Sequence, residues 1–363
     1  MGRFRVEVEE RDFSGLKGTA YMEMQPIRYR RSVIGGCLDA EFSVRGAEDR
    51  LMELMDMLRC PLRLYYDNVL VWWGYISGVE IAMAGYTLGM SLDEMYNKVA
   101  VTYSLITTTE SGEQELGNRA TTDWVEDTLS EAEYGIKELV VSAGGMNETQ
   151  ANAARNRILE TFSKPIPKIT FGKVEKGGKV YAKGWWHTLD WRYHQNTITT
   201  SADTATIMAE MIGGGEFISG VTINGASGIS GGRYRDGSLT IMDEVMKLIE
   251  IGTSNNRRLL VDITAERNAV ISEEAQTVEY YAETLVYGDG RILDRYGNAK
   301  AVFKCPVGVA ILSDLFVRAV DAGRMADARI IFIDEAEYSV SNGYLPIARG
   351  SISPWDIIER FTG

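Results

Sequence analysis

The stretch SEAEYGIKELVVSAGGMNETQANAARNRILETFSKP, residues 130–165, carries the clearest structural pattern of the chain. After an acidic start it breaks at Tyr134-Gly135, and a short apolar run then predicts a strand. An Ala-rich segment follows and predicts a helix that Asn147 opens, because Gln150 three residues later completes a reciprocal cap. The predicted buried face of this helix consists of Ala151, Ala154, Ile158 and Phe162.

Size and composition set the class of protein. The 363 residues suffice for two or three domains, and 45% hydrophobic with 25% charged residues is typical of a soluble globular protein. The longest apolar runs, such as 69–73 and 330–333, are too short to span a bilayer, and the start MGRFRVEVEERDF has no apolar signal segment. We therefore expect no membrane span and synthesis in a reducing bacterial cytoplasm.

The N-terminal part predicts a β-rich unit with one helix. Asp67-Asn68 is a two-residue hairpin signal, and residues 47–60 predict an amphipathic helix with Leu51, Leu54 and Leu58 on its apolar face. We expect residues 1–106 to close into a small barrel with this helix on its side. The predicted strands are 17–31, 38–44, 62–66, 69–76, 86–91 and 98–106.

The rest of the chain predicts two further units. Residues 107–168 form a strand–helix linking domain, and 169–363 form a second, discontinuous barrel with an inserted α/β segment around 200–256. The insertion contains predicted helices at 201–212 and 240–251, the second capped by Thr240 and Asp243. Segment 184–191 has β character, and Asn342-Gly343 predicts a turn after strand 328–338. The fold class is therefore α+β and β-rich.

A short terminal helix is predicted after Ser353, with Pro354 at its first position. It is too short to be stable alone. Its apolar residues Trp355, Ile358 and Phe361 are therefore candidates for an interface, either with the chain's own barrel or with a neighbouring subunit.

Three groups of residues resemble the central baseplate or tail-tip hub proteins of long-tailed bacteriophages. The first is Ser130 with Tyr134-Gly135 and Lys137-Glu138 before the Ala-rich helix. The second combines Gly35, Gly36, Phe42 and Ser43 with the hairpin WWGYI at 72–76 and VTY at 101–103. The third is FIDEAEY at 332–338, followed by NGYL at 342–345. The Gly-rich stretch 213–237 has no counterpart in that family, and its role stays open.

The resemblance implies a structural and not an enzymatic role. It implies two tail-tube-like β-barrel domains per chain and a homotrimer whose ring adapts the symmetry of the tail tube to a threefold spike. The implied partners are a distal tail or tail-tube ring protein, the tape-measure protein and a central spike or fibre protein. DNA would pass through the ring during ejection. The mature protein would then be part of the virion, at the tail tip.

The net charge of −13 argues against stable binding to the phosphate backbone, which needs clustered Lys and Arg. A channel wall that repels DNA would use such acidity, and solubility is the other explanation. We expect more acids than bases on the wall of the channel. The candidate lumen residues are Glu23, Glu41, Asp334, Glu335 and Glu337.

Two alternatives are a tail-associated cell-wall hydrolase and a glycan-binding tip protein. Cys37, Cys60 and Cys305 are far apart in the sequence, and His187 and His194 would face opposite sides of one strand. We therefore expect no catalytic, metal or cofactor residues. A glycan site would use Trp185, Trp186 and Trp191. On a strand the first two point to opposite faces, which predicts at least one tryptophan at the surface or in an interface; the alternative is that these tryptophans pack a sheet.

Overall fold

The computed structural model describes residues 4–17, 24–66, 68–83, 85–108, 114–172, 176–194, 198–233 and 239–273. Beyond these it describes strand segments between residues 280 and 348. The predicted terminal helix with Trp355, Ile358 and Phe361 lies outside the described residues, as do Glu23 and Cys305.

The described chain is strand-rich, as the sequence predicts for an α+β protein. In chain order its strands are β1 (Phe4–Val8), β2 (Met24–Ser32), β3 (Gly36–Val44), β4 (Pro61–Tyr66), β5 (Val69–Met83), β6 (Tyr86–Ser91), β7 (Lys98–Thr108), β8 (Gln114–Thr121), β9 (Val125–Glu126), β10 (Glu138–Met146), β11 (Lys168–Phe171), β12 (Gly177–Lys183), β13 (Ile198–Asp203), β14 (Gly220–Asn224), β15 (Ser230–Arg233), β16 (Leu259–Ile263), β17 (Asn268–Glu273), β18 (Tyr280–Ala282), β19 (Leu285–Val286), β20 (Ile292–Leu293), β21 (Gly308–Leu312), β22 (Arg329–Ser339) and β23 (Gly343–Ala348).

Five α-helices and two 3₁₀ helices accompany the strands in the described part of the chain. The α-helices are α1 (Glu48–Met52), α2 (Thr128–Tyr134), α3 (Glu148–Phe162), α4 (Thr204–Gly213) and α5 (Ile241–Ile251), and the 3₁₀ helices are Glu53–Met57 and Trp185–Trp191. The predicted reciprocal caps at α3 and α5 are both confirmed. The predicted helix 47–60 is shorter and continues from α1 as the first 3₁₀ helix, with Leu51, Leu54 and Leu58 buried as expected.

A curled sheet of twelve strands forms the centre of the molecule. Its main path runs β1-β4-β5-β12-β3-β2-β22-β21-β18, with β6, β11 and β23 attached at its sides. Strands β22 and β23 pair antiparallel, with Ser339 opposite Gly343, and Asn342 of the predicted turn lies outside the described residues. Strand β12 lies between β5 and β3, and β22 pairs with β2. One sheet thus contains strands from both predicted barrel units, and the division into two barrels stays a prediction.

The described chain also contains a four-stranded and a three-stranded sheet, and two two-stranded sheets, β13–β15 and β19–β20. Strand β7 pairs with β8 and β9 antiparallel and with β10 parallel, and α3 packs on this sheet through buried Ala151. In the inserted segment β17 joins β14 and β16, next to α4 and α5. The Gly-rich stretch contributes β14 and β15. Its backbone is hydrogen-bonded to Asp203, which caps α4 and accepts from the N–H groups of Ser227 and Gly228.

The β character predicted for segment 184–191 is wrong. The segment forms a 3₁₀ helix and not a strand, and Trp185, Trp186 and Trp191 are all buried, at 3%, 4% and 4% exposure. With three residues per turn, Trp185, Thr188 and Trp191 fall on one side, and all three are buried. Trp186 packs over Gly35, where an added Cβ would meet its ring at 2.5 Å. The expectation of an exposed tryptophan is therefore wrong.

The motif at 130–138 forms a hydrogen-bonded connection that we call the Asn97 junction: Asn97, Ser130, Gly135, Lys137 and Glu138. The Asn97 side chain is fully buried and bonds to Ser130 Oγ at 3.2 Å and the Gly135 carbonyl at 2.8 Å. It also accepts the Lys137 N–H at 2.8 Å. The junction fixes α2 and β10 to the start of β7, which explains why the break at Gly135 is needed (φ 89°).

A second connection joins the loop after β1 to the inserted segment. We call it the arginine–aromatic stack: Phe13, Arg59, Phe217 and Arg267. The Arg267 guanidinium lies 3.7 Å from the Phe13 ring centre, and that of Arg59 lies 5.3 Å from Phe13 and 4.8 Å from Phe217. Trp185 extends the stack, at 5.7 Å from both phenylalanine rings.

Candidate functional site on the charged face of the central sheet

Alternation along the central strands gives the sheet one apolar and one charged face. On β3, Ala40, Phe42 and Val44 are buried in the core. Asp39 and Glu41, which flank Ala40, point to the opposite face, because successive side chains of a strand alternate. The neighbouring strands continue this face with Arg28 and Arg30 on β2, and with Lys179, Tyr181 and Lys183 on β12.

The carboxylates of β3 are each shared by two cations. Asp39 contacts Arg28 at 2.8 Å and Arg30 at 2.5 Å, and Glu41 contacts Lys179 at 3.0 Å and Arg28 at 3.6 Å. Partly exposed ion pairs of this kind contribute only about 0–1 kcal/mol each to stability. Their main effect is therefore on the electrostatic potential of the face, because carboxylates match the charges of Arg28 and Arg30 on this face.

The same matching extends to the side of β6 and β11. Lys183 pairs with Asp93 at 2.6 Å and Lys168 with Glu94 at 2.7 Å, while the Tyr181 hydroxyl donates to Glu80 at 3.0 Å. The described face then carries five bases and five acids: Arg28, Arg30, Lys168, Lys179 and Lys183 against Asp39, Glu41, Glu80, Asp93 and Glu94.

An open cavity of about 730 Å³ lies over this face, between β2, β6, β11 and β12. His187 lies on its wall, and burial together with the nearby Lys183 charge lowers the pKa of this imidazole to about 4. Burial opposes ionisation of Asp93, but the hydrogen bond and charge of Lys183, the Lys137 charge and the Ser91 hydrogen bond together outweigh it and lower the pKa of Asp93. At neutral pH the cavity is thus lined by a neutral imidazole and charge-paired side chains.

A second cavity of about 320 Å³ adjoins the first and shares Asp93, Lys183 and His187 with it. Its wall contains Lys137, whose ammonium donates to the carbonyls of Leu92 at 2.6 Å and Asp93 at 2.9 Å. Burial lowers the pKa of Lys137 to about 8. Both acceptors are backbone carbonyls of the β6–β7 loop, so the two hydrogen bonds hold this loop in place. This amine therefore has a structural role in the Asn97 junction.

The comparisons with known proteins give distant structural likenesses. No protein-family model matches this sequence, and no curated protein is detectably similar to it. Three solved structures are similar over nearly their full lengths. All three are tail proteins. The Neisseria meningitidis tail protein has a TM-score of 0.43 and 8% identity, covering 98% of this chain and 99% of that chain.

The other two structures come from prophages. The Listeria monocytogenes prophage tail protein has a TM-score of 0.40 and 6% identity, with 98% of both chains covered. The 43 kDa tail protein of prophage MuSo2 from Shewanella oneidensis has a TM-score of 0.45 and 9% identity, with 96% of both chains covered.

The predicted lumen residues fall partly on the charged face. Glu41 lies on it, paired with two cations. Glu337 lies opposite Arg30 in the register of β22 with β2, which places it on the same face. Asp334 and Glu335 belong to the same strand β22, and the structure describes their backbone alone. With Glu337 included, the described face has one more acid than bases. The other residues of this face were missed, although alternating charged and apolar residues in β2 and β3 are a signal for them.

Four of the cysteines and histidines considered for chemistry lie in the described part of the chain: Cys37, Cys60, His187 and His194. Cys37 and Cys60 are buried, and the Cys37 sulfur accepts the Trp73 N–H at 3.3 Å. His194 is buried at 6% exposure. Within the described ranges, no three His, Cys, Asp or Glu side chains are grouped as metal ligands, and no helix is long and apolar enough to cross a membrane.

Proposed function

We propose that this chain is a structural hub subunit at the tip of a phage tail, and that the charged face of its central sheet lines the channel for DNA. The observation that carries the proposal is the matching of charges on that face. Every described Lys and Arg of the face named above lies within 3.6 Å of a carboxylate of the same face. The motif resemblance to hub proteins supports the assignment to a tail tip.

Charge matching suits a conduit for a polyanion. An unpaired Lys or Arg on the wall would bind phosphate and release counterions, which gives salt-dependent retention. A cation that is already paired with a carboxylate binds phosphate less strongly. Because charges are screened over about 8 Å at physiological salt, the groups on the wall itself decide whether the duplex is retained. The described face is nearly neutral and not strongly acidic, so we propose a wall that neither holds nor strongly repels DNA.

The assembly that would use such a wall is a ring of three chains. In this proposal the ring contacts a distal tail or tail-tube ring protein on one side and a central spike or fibre on the other, and it holds the end of the tape-measure protein. A homotrimer is tested by native mass spectrometry of the purified chain. We expect three times the mass of the chain at micromolar concentration. A species that stays monomeric up to 100 µM would refute the trimer.

The function of the face is tested by removing the carboxylates that pair with its cations. In the double variant Asp39→Asn and Glu41→Gln, Arg28 and Lys179 lose the carboxylates with which they pair, and Arg30 loses its pair with Asp39. We expect the variant to bind a short DNA duplex in 50 mM salt and to release it in 200 mM salt, whereas the wild-type chain binds in neither.

The matched control removes the same two charges elsewhere. Glu148 and Glu160 are exposed on α3, so Glu148→Gln with Glu160→Gln changes the net charge equally without touching the face. This control is expected to leave DNA unbound. Equal DNA binding by both double variants would show that total charge and not the face governs retention, and it would overturn the proposed role of the face. Circular dichroism checks that both variants are folded.

A further inference from the structure

The arginine–aromatic stack contains two cations without ion-pair partners among the described residues. Arg59 is 4% exposed; its Nη2 donates to the Arg11 carbonyl, and its Nε and Nη1 have no acceptor in the described chain. Burial lowers the pKa of Arg59 to about 10, so it remains charged at neutral pH. The second cation, Arg267, makes a ring contact with Phe13 and has no carboxylate within ion-pair distance in that part of the chain.

The backbone at this place is held in an uncommon conformation. Six described residues other than glycine have positive φ, and two of them are asparagines, which tolerate it. The other four are Phe13, Arg59, Phe217 and Arg267, with φ of 63°, 68°, 63° and 66°. All four meet in the stack. Such a concentration of left-handed residues is typical of functional sites, where the surrounding structure enforces the strain.

A cavity of about 250 Å³ opens beside the stack. Phe13, Trp73 and Trp185 form part of its wall, which also has two bases, Arg63 and Arg267, and two acids, Glu9 and Glu266. Arg63 is already paired with Glu9 at 3.0 Å, which leaves the Arg267 guanidinium as the available donor on this wall. The cavity thus combines aromatic rings with a planar cation that has no ion pair among the described residues.

We propose that this cavity binds a carboxylate side chain from an acidic peptide segment of a partner protein. The guanidinium of Arg267 matches a carboxylate in planar, two-pronged geometry, and the aromatic walls cover the methylene groups of a glutamate. Arg59 behind the Phe13 ring adds positive potential without direct contact. A DNA phosphate is a poorer occupant, because a duplex cannot enter a cleft of this size. This site is separate from the charged face and goes beyond the proposed function.

The test uses the tryptophans of the cavity as reporters. The full chain is titrated with N-acetylglutamate, with its neutral analogue N-acetylglutamine and with inorganic phosphate at constant ionic strength, and tryptophan fluorescence and heat of binding are recorded. We expect saturable binding of N-acetylglutamate and at least tenfold weaker binding of N-acetylglutamine. If phosphate binds and N-acetylglutamate does not, the carboxylate assignment is overturned.

Variants locate the binding to Arg267. Arg267→Gln is expected to weaken N-acetylglutamate at least tenfold, and Arg50→Gln, at an exposed arginine on α1, is the matched control with unchanged affinity. Arg63→Gln serves as a second variant with an expected smaller loss, should Arg267→Gln reduce the folded fraction. Undiminished affinity in both cavity variants contradicts the proposal, as does the absence of saturable binding to the wild-type chain.

Discussion

The Asn97 junction and the arginine–aromatic stack both connect distant parts of the chain, but they treat buried charge in opposite ways. In the junction, Lys137 donates to two backbone carbonyls and Asn97 satisfies three partners. In the stack, Arg59 keeps two buried donors without an acceptor in the described chain. A satisfied polar network fixes structure, whereas an unsatisfied one marks a place where another group is needed. The difference leads us to assign a structural role to the first, and the binding role proposed for the second rests on Arg267 and the adjoining cavity.

The largest effect is expected from removing the centre of the junction. Asn97→Ala leaves the Gly135 carbonyl and the Lys137 N–H buried without partners, and each such group costs about 1–3 kcal/mol. We expect a loss of about 3 kcal/mol in the free energy of unfolding, measured by urea denaturation. The exposed Asn156→Ala on α3 is the control and should change stability by less than about 0.5 kcal/mol. Similar losses in both variants would remove the structural role of the junction.

The charge state of Lys137 gives a pH signature. Its pKa is about 8 in the folded chain against 10.5 ordinarily, so between these values the unfolded chain binds a proton that the folded chain has released. Stability of the wild type should therefore rise with pH in this window relative to Lys137→Met, by about 1–2 kcal/mol from pH 8 to 9.5. Lys164→Met, at an exposed lysine, should follow the wild type. Parallel pH profiles for wild type and Lys137→Met would show that burial does not perturb this amine.

Substitution of Arg59 is expected to change the free energy of unfolding only slightly, in contrast to substitution of Asn97. Arg59→Met removes a buried charge together with its unsatisfied donors, and it leaves one carbonyl, that of Arg11, without this donor. Replacing a poorly satisfied buried charge by an apolar side chain of similar length is often neutral or stabilising. We expect the free energy of unfolding to change by less than about 1 kcal/mol. A loss above 3 kcal/mol, measured by thermal and urea unfolding, would mean that Arg59 holds the stack together.

Local patterns predicted local structure well in this chain. The caps of α3 and α5 need only a pair of residues three apart, and the apolar stripe of α1 and its 3₁₀ extension needs only helical spacing. Segment 184–191 was misread because its conformation depends on non-local contacts. Gly184 approaches the Cys37 carbonyl so closely that an added Cβ would lie 1.7 Å from it, and Trp186 needs Gly35. No pattern within the segment shows either contact.

The same limit applies to the sheet and the site. The position of β12 between β5 and β3 depends on pairing across about 100 residues or more, and strand character alone does not give the partner. Glu41 could therefore be predicted from the sequence as a lumen acid, but its pairing with Arg28 and Lys179 could not. Arg59 and Arg267 carry no recognisable motif, because their association with Phe13 arises from three separate parts of the chain.

The most direct test of the channel proposal is a density map of the assembled ring, viewed along its axis at side-chain resolution. We predict three chains around one axis, with Asp39, Glu41, Lys179 and Lys183 facing the lumen, each still paired as described above. A ring in which this face points outward or is buried between subunits, with another surface lining the channel, would contradict the account.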